Sequence, residues 1–395
     1  MSLMYALCMS LGRQSNILWV LINQPRTMYI SLGTPSAFHL CPAYLIDGWH
    51  FLNEIKKVKG LTNHKLVTFD ATAMYANINN DHAIECIAKW FELHKNDIPE
   101  GFPVKLVLDG IERLMNYNVF RFGNRFYIQR NGTAMGTNVG CMYATIYFSY
   151  HEETVILKLP FLTFYRRLID DAFLIIENSS CNLECIKSAM NDYGPADKRL
   201  EWKPEQHGPK VHFLDLWISI APNKSLITST YQKEVNMYLY RCPFSAQPPS
   251  TLFGLIYGTI HRYYWQNSNL NDFGRHVELF FNRLLDQAHT RNSLIPLFMK
   301  ASEKLVNSRM PNPKPENRLL PKSNDGLLFV HLPYDPRNPP QRLLKQCTNR
   351  LLSRIQSFDK DIIRRIIIAF SRSPNLADIS KRNQLEPSVD TTHPR

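Results

Sequence analysis

The sequence predicts an α+β fold. Short runs rich in β-branched and aromatic residues at 65–70, 164–176 and 211–218 read as strands. Between and after them lie stretches with apolar residues at helical spacing, clearest at 84–90 and 103–116, and a long apolar pattern over 139–150. An apolar content of 44% in 395 residues is enough to bury a substantial core, in two or three subdomains.

Charge and cysteine usage narrow the class. The 46 basic residues exceed the 34 acidic ones by 12, which suits a polyanionic partner. The 8 cysteines are scattered, so a disulfide scaffold is not expected and a reducing compartment fits better. The run Ile17-Leu18-Trp19-Val20-Leu21-Ile22 is too short to span a bilayer and has no basic cluster before it, so nothing ties the chain to a membrane.

Taken in order, residues 1–64 are mixed, with a turn at Gly33-Thr34-Pro35-Ser36 and a helix expected over 45–58 that stops at Gly60. Lys56, Lys57 and Lys59 read as a solvated basic face or a phosphate contact. A strand at 65–70 ends on Asp70. After it, Asp81 is placed to cap a helix through Ile84, Ile87, Ala88 and Trp90. An alternating aromatic strand, Phe126-Tyr127-Ile128-Gln129, then enters a loop with Gly132 and Gly136, whose missing side chains would admit a nucleotide or base pair. Arg125, Gln129 and Arg130 flank that loop. It is not a Walker A loop, because no Lys-Ser/Thr pair follows.

Downstream, 179–193 is expected as a helix and 211–218 as one strand, paired with 228–231 across Pro222-Asn223. Cys181, Cys185, His207 and His212 invite a zinc site, but unpaired residues explain them better. Prolines at 243, 248 and 249 close the compact portion. Tyr257, His261, Arg262, Tyr263, Tyr264 and Trp265 read either as a nucleic-acid path or as an aromatic core face. Residues 272–304 are helical in pattern, 309–340 are a proline-rich linker or extended packing segment, 341–371 alternate cations with leucines and isoleucines, and the tail after Asn375 is loose.

The chemistry concentrates in Leu168-Ile169-Asp170-Asp171. Two acids between apolar arms read as the tip of a strand–turn–strand hairpin, which makes sense against something cationic; an ordinary acidic turn reads the same way. If the strand ending at Asp70 is its neighbour, Asp70 and Asp170 would chelate a pair of divalent ions about 4 Å apart, as in-line phosphoryl transfer requires. Oxygen donors suit Mg²⁺ or Mn²⁺.

This ordered set resembles reverse transcriptases, most closely the polymerase domain of Penelope-like retroelements, a group related to telomerase catalytic subunits. Phe69-Asp70 with Tyr75-Ala76-Asn77-Ile78 looks like the first catalytic motif. Gln129 with Gly132-Thr133-Ala134-Met135-Gly136 looks like the second, and Leu168-Ile169-Asp170-Asp171 like the third. Phe213-Leu214-Asp215 resembles the primer-grip motif, Thr230-Tyr231-Gln232-Lys233 the sequence after it, and Leu332-Pro333-Tyr334-Asp335-Pro336 a late stretch.

The resemblance implies a right-hand polymerase. Its partial fingers would cover 1–64, a ferredoxin-like palm with inserted fingers elements 65–245, a helical nucleic-acid-binding thumb 246–371 and a flexible tail 372–395. It implies RNA-directed DNA synthesis, extending a primer 3′-OH with dNTPs. Asp70, Asp170 and Asp171 would ligate two Mg²⁺ ions, with Mn²⁺ as substitute. Tyr75 would exclude a 2′-OH; Gln129, Gly132, Met135, Gly136 and Lys210 would lie at the nucleotide and template, and Lys203 or Lys210 would serve as general acid. Expected partners are an RNA template, a DNA primer and a separate endonuclease, since no Gly-Ile-Tyr…Tyr-Ile-Gly signature is present. The activity implies a nuclear location in a eukaryote and a cytoplasmic one otherwise. Leu168 replaces the usual aromatic residue, and Thr137-Asn138 the usual Ser-Pro. These departures keep open the alternative of a decayed nucleic-acid-binding protein of polymerase descent.

Overall fold

The computed structural model describes residues 40–98, 100–134, 137, 139–195, 199–245, 247–248, 250–307, 327–335, 339, 341–358 and 365–371. The expectations for 1–39, for most of the proline-rich stretch and for the tail lie outside them, as do Met135 and Gly136. The chain divides into two compact units. The first is Met1–Met237 with Arg262–Glu278 and Pro313–Leu319; the second is Tyr238–His261, Leu279–Asn312 and Leu320–Arg395.

In the first unit, α1 (Gly48–Ile55) leads to strand β1 (His64–Ala71). Helix α1 is shorter than expected because its N-cap, Asp47, accepts from the His50 amide, and Lys56 already ends it. A single turn, α2 (Met74–Asn77), follows, then α3 (Asn80–Leu93) and α4 (Val104–Asn116). Asn79, not Asp81, caps α3, its side chain accepting from the His82 amide; Asp81 instead lies in the first turn, where its charge suits the helix dipole. Strands β2 (Val119–Phe122) and β3 (Arg125–Ile128) form a hairpin around Gly123, where a single aromatic strand was expected. Gly123, at φ +60°, supplies the left-handed conformation that reverses the chain.

Helix α5 (Gly140–Thr154) precedes the acidic hairpin, β4 (Leu162–Leu168) and β5 (Asp171–Glu177). Helix α6 (Ser180–Asn191) and strand β6 (Trp202–Gly208) complete a four-stranded sheet of order β4-β5-β1-β6. All its neighbours run antiparallel. The chain order strand–helix–strand–strand–helix–strand in this arrangement is the ferredoxin-like topology that the resemblance implied.

At its two central strands, β1 and β5, both faces of this sheet are buried, so these two read as near-continuous apolar runs. Val67, Phe69, Ala172, Leu174 and Ile176 pack with α3, α5 and α6; Leu66, Phe173 and Ile175 pack with Phe51, Leu52, Phe213 and Leu216. The outer edge of β4 is covered by the segment before α1: Arg167 donates its amide to the Ala43 carbonyl (2.8 Å), and Leu45 donates to the Arg167 carbonyl (2.8 Å).

The expected strand over 211–218 is two strands, β7 (Lys210–Phe213) and β8 (Leu216–Ile220), which with β9 (Leu226–Thr230) form a second sheet. Leu214, at φ +53°, breaks it: the chain reverses at Leu214 and Asp215, so Phe213 enters the core while Asp215 sits in a turn and accepts from the Tyr231 amide (2.8 Å).

Three further helices follow, α7 (Ser250–Gln266), α8 (Leu270–Asp286) and α9 (Arg291–Asn307). In the second unit Phe280 of α8 packs on Phe298 of α9 at 5.7 Å between rings. Within the stretch expected as linker or extended packing segment lies a strand, β10 (Leu327–Pro333), which with helix α10 (Gln341–Phe358) and β11 (Arg365–Ser371) makes a parallel strand–helix–strand unit, so the region expected as a helical thumb also holds strands. A parallel pair needs a crossover, and α10 provides it.

Candidate active site

The sheet register sets Asp70 beside the acidic turn. Asp70 on β1 lies directly opposite Asp171 on β5, so their side chains leave the same face of the sheet. The Ala71 amide donates to the Asp170 carbonyl (2.9 Å), which draws the hairpin turn onto the end of β1. That turn is held in an unusual shape: Ile169 sits at φ +57°, a conformation that costs a β-branched residue about 1–2 kcal/mol.

A buried cation holds it there. Arg167 is wholly buried and donates to both carboxylate oxygens of Glu152, to the Thr145 carbonyl on α5 (3.0 Å) and to the Ile169 carbonyl in the turn (2.8 Å). The Tyr165 hydroxyl donates to the same Glu152 (2.7 Å). The turn is thereby locked to the long helix beneath it. Sequence reading passed over Arg167, because a cation in a strand beside an acidic turn looks like a surface residue; the signal was its inward register beside Tyr165.

The electrostatics are those of crowded carboxylates. Burial, with the charges of Asp170, Asp70 and Glu205, pushes the Asp171 carboxyl up to about 6. Asp70 is raised by burial and by Glu205 and Asp170, with Lys203 and Lys233 opposing. Glu205 was not foreseen. It is the extra residue of a bulge in β6, where Thr68 faces Gln206 but the next residue, Phe69, faces Pro204. Lys203 faces Asp70 across the sheet; Lys210 instead lies over the Trp217 ring at 4.6 Å.

Tyr75 sits on α2, half-buried, its hydroxyl pushed up to about 12 by burial, by Cys141 and by the charge of Asp170. The glycine loop explains its position. Gly132, at φ +67°, donates to the Ile78 carbonyl (2.9 Å), and Thr133 donates to the Tyr75 carbonyl (2.6 Å). A Cβ at residue 132 would lie 2.1 Å from the Tyr75 carbonyl oxygen. The close approach expected of this glycine is therefore made to the protein's own backbone, next to the acids. Gln129 is likewise engaged, its side chain donating to the Asn131 carbonyl (2.9 Å) at the hairpin base.

The donor set suits a hard divalent cation: carboxylates only, two of them raised by burial and by the neighbouring negative charges. Among the described residues no three acid, histidine or cysteine side chains are gathered into a ready-made cage. Cys181 and Cys185 lie 3.9 Å apart on the exposed side of α6. No helix among the described residues is long and apolar enough to cross a membrane.

No protein-family pattern matches the chain, and no curated protein matches it. Solved structures do. It is similar to apo telomerase from Candida tropicalis truncated from the C-terminal domain (TM-score 0.38, 13% identity, over 54% of this chain and 45% of that one). Telomerase from Candida albicans in complex with a fragment of telomeric RNA gives a TM-score of 0.44 at 10% identity, over 74% of this chain and 50% of the other. The RNA-dependent RNA polymerase of a human picobirnavirus gives 0.41 at 12%, over 73% and 58%. The chain spans about half the length of these structures.

Proposed function

We propose that the chain is a nucleic-acid polymerase, and more finely an RNA-directed DNA polymerase of retroelement descent that extends a DNA primer on an RNA template. The observation that carries this reading is the pairing of Asp70 with Asp171, with Asp170 in the adjoining turn, on a ferredoxin-like sheet. Asp70, Asp170 and Asp171 would hold two Mg²⁺ or Mn²⁺ ions, which when bound supply charge neutralisation and activation of the primer hydroxyl. The protein's own groups set the geometry. Arg167 fixes the turn, and the Gly132 loop fixes Tyr75, whose ring would abut the incoming sugar and disfavour a ribonucleotide. Lys203 and Lys233, whose charges already oppose that of Asp70, would offset the triphosphate.

Primer extension on an RNA template tests this. The wild-type chain should incorporate dNTPs in Mg²⁺ or Mn²⁺, and Asp170→Asn should lose at least about 10³-fold in rate. Template–primer binding without extension would leave the decayed-polymerase alternative; exclusive use of rNTPs would overturn the DNA assignment.

A further inference from the structure

We propose that the β2–β3 hairpin is a stacking platform for single-stranded RNA on its way to the carboxylates, an inference that rests on the polymerase reading. Its sequence is apolar where a solvent-exposed ribbon should be polar. Both faces are open: Phe122 is 75% and Phe126 73% exposed. An isolated two-stranded hairpin is marginal in water, and exposed apolar patches of this kind mark interaction sites.

The pairing register sorts the residues. Phe120 faces Tyr127 and Phe122 faces Arg125, placing three rings and a guanidinium on one face; the other carries Val119, Arg121, Phe126 and Ile128. On the first face the Phe120 and Tyr127 rings are stacked, 5.6 Å apart and 22° from parallel. On the second, Arg121 is engaged by the turn, donating to the Gly123 carbonyl (2.8 Å). No acidic residue occurs from 117 to 134, whereas Arg121, Arg125 and Arg130 do. Flat rings interleaved with unopposed positive charge favour a polyanion with free π-faces. Bases in a duplex are already stacked, so the partner is a single strand.

Position gives that strand its role. At the hairpin base the Gln129 amide donates to the Asn118 carbonyl (2.9 Å), and the chain then runs into the Gly132 and Thr133 contacts with the Tyr75 turn. A strand lying on Phe120, Phe122 and Tyr127 would thus be led toward Tyr75 and the acids.

The test is fluorescence anisotropy of the full chain with a short labelled single-stranded RNA, alongside primer extension. Replacing Phe122 and Tyr127 together by Ala should weaken RNA binding roughly tenfold or more. Arg125→Ala should lower the slope of log affinity against log salt by about one. Phe126→Ala, on the opposite face, should change affinity less than about twofold. Photocrosslinking of thiouridine-containing RNA should label the 119–128 peptide in the wild type. Unchanged affinity in the Phe122/Tyr127 variant, preferential binding of duplex or of single-stranded DNA, or a wild-type dimer that the same variant dissolves would each overturn the proposal. Hairpin-dependent RNA binding without any extension would remove the polymerase reading while leaving the platform. Asp170-dependent extension with the variant's template KM unchanged would do the reverse.

Discussion

Arg167 is the residue on which the shape of the site turns. It is fully buried and paired with an equally buried Glu152, while also donating to the carbonyl of the turn that carries Asp170. Breaking such a pair from one side strands the other charge in a medium that solvates it poorly. Arg167→Met should therefore cost about 3–5 kcal/mol in chemical denaturation, and adding Glu152→Gln should recover part of it. A loss below about 1 kcal/mol would refute the clamp. Asp171 carries strain of another kind. Its carboxyl titrates near 6, above the ordinary carboxylate value of about 4, so the folded state binds the proton more tightly than the unfolded one. Stability in metal-free buffer should then fall as pH rises from about 4 to about 6 and stay lower above that. Asp171→Asn should raise the thermal midpoint at neutral pH and leave it unchanged near pH 4; an equal gain at both would contradict the raised carboxyl that burial and the neighbouring acids produce.

At the scale of elements, regularity decides what could be read from the chain. Strand β1 and the acidic hairpin were legible because apolar runs flank a short acidic tip, and α4 because Pro103 and helical spacing mark it. The turn at Leu214 was not, since a leucine in the left-handed region carries no local signature and the apolar run continues across it. The Glu205 bulge was equally silent: register belongs to the partner strand, not to the sequence of β6. The Gly132 contact was half legible. A glycine demanding close approach could be seen, but not what approaches it. Ala73 belongs to the same class of hidden turn, an exposed alanine at φ +44° just before α2. Ala73→Gly removes a steric cost and buries nothing less, so it should stabilise the protein by about 0.5–1 kcal/mol in equilibrium unfolding. A destabilisation would mean that this turn relaxes in solution.

For the molecule as a whole, the ferredoxin-like sheet brings residues a hundred positions apart into register, and only the order of acids and glycines along the chain hinted at that. The net charge of +12 gave a partner class but no location. If the carboxylates are a cation site, Mg²⁺ should raise the thermal midpoint of the wild type, since a ligand that binds only the folded state stabilises it. The doubly neutral Asp70→Asn, Asp171→Asn chain should show no such rise; a rise of the same size would place the ion elsewhere.

The short clasp of Ala43 and Leu45 on the rim of β4 has a practical consequence. It occupies the amide and carbonyl groups through which a foreign strand would otherwise add on. A version trimmed past residue 45 would offer a naked rim backed by apolar side chains, and its failure would be fibre growth and precipitation well before any loss of helices. Expression boundaries drawn upstream of residue 43 keep that rim sealed.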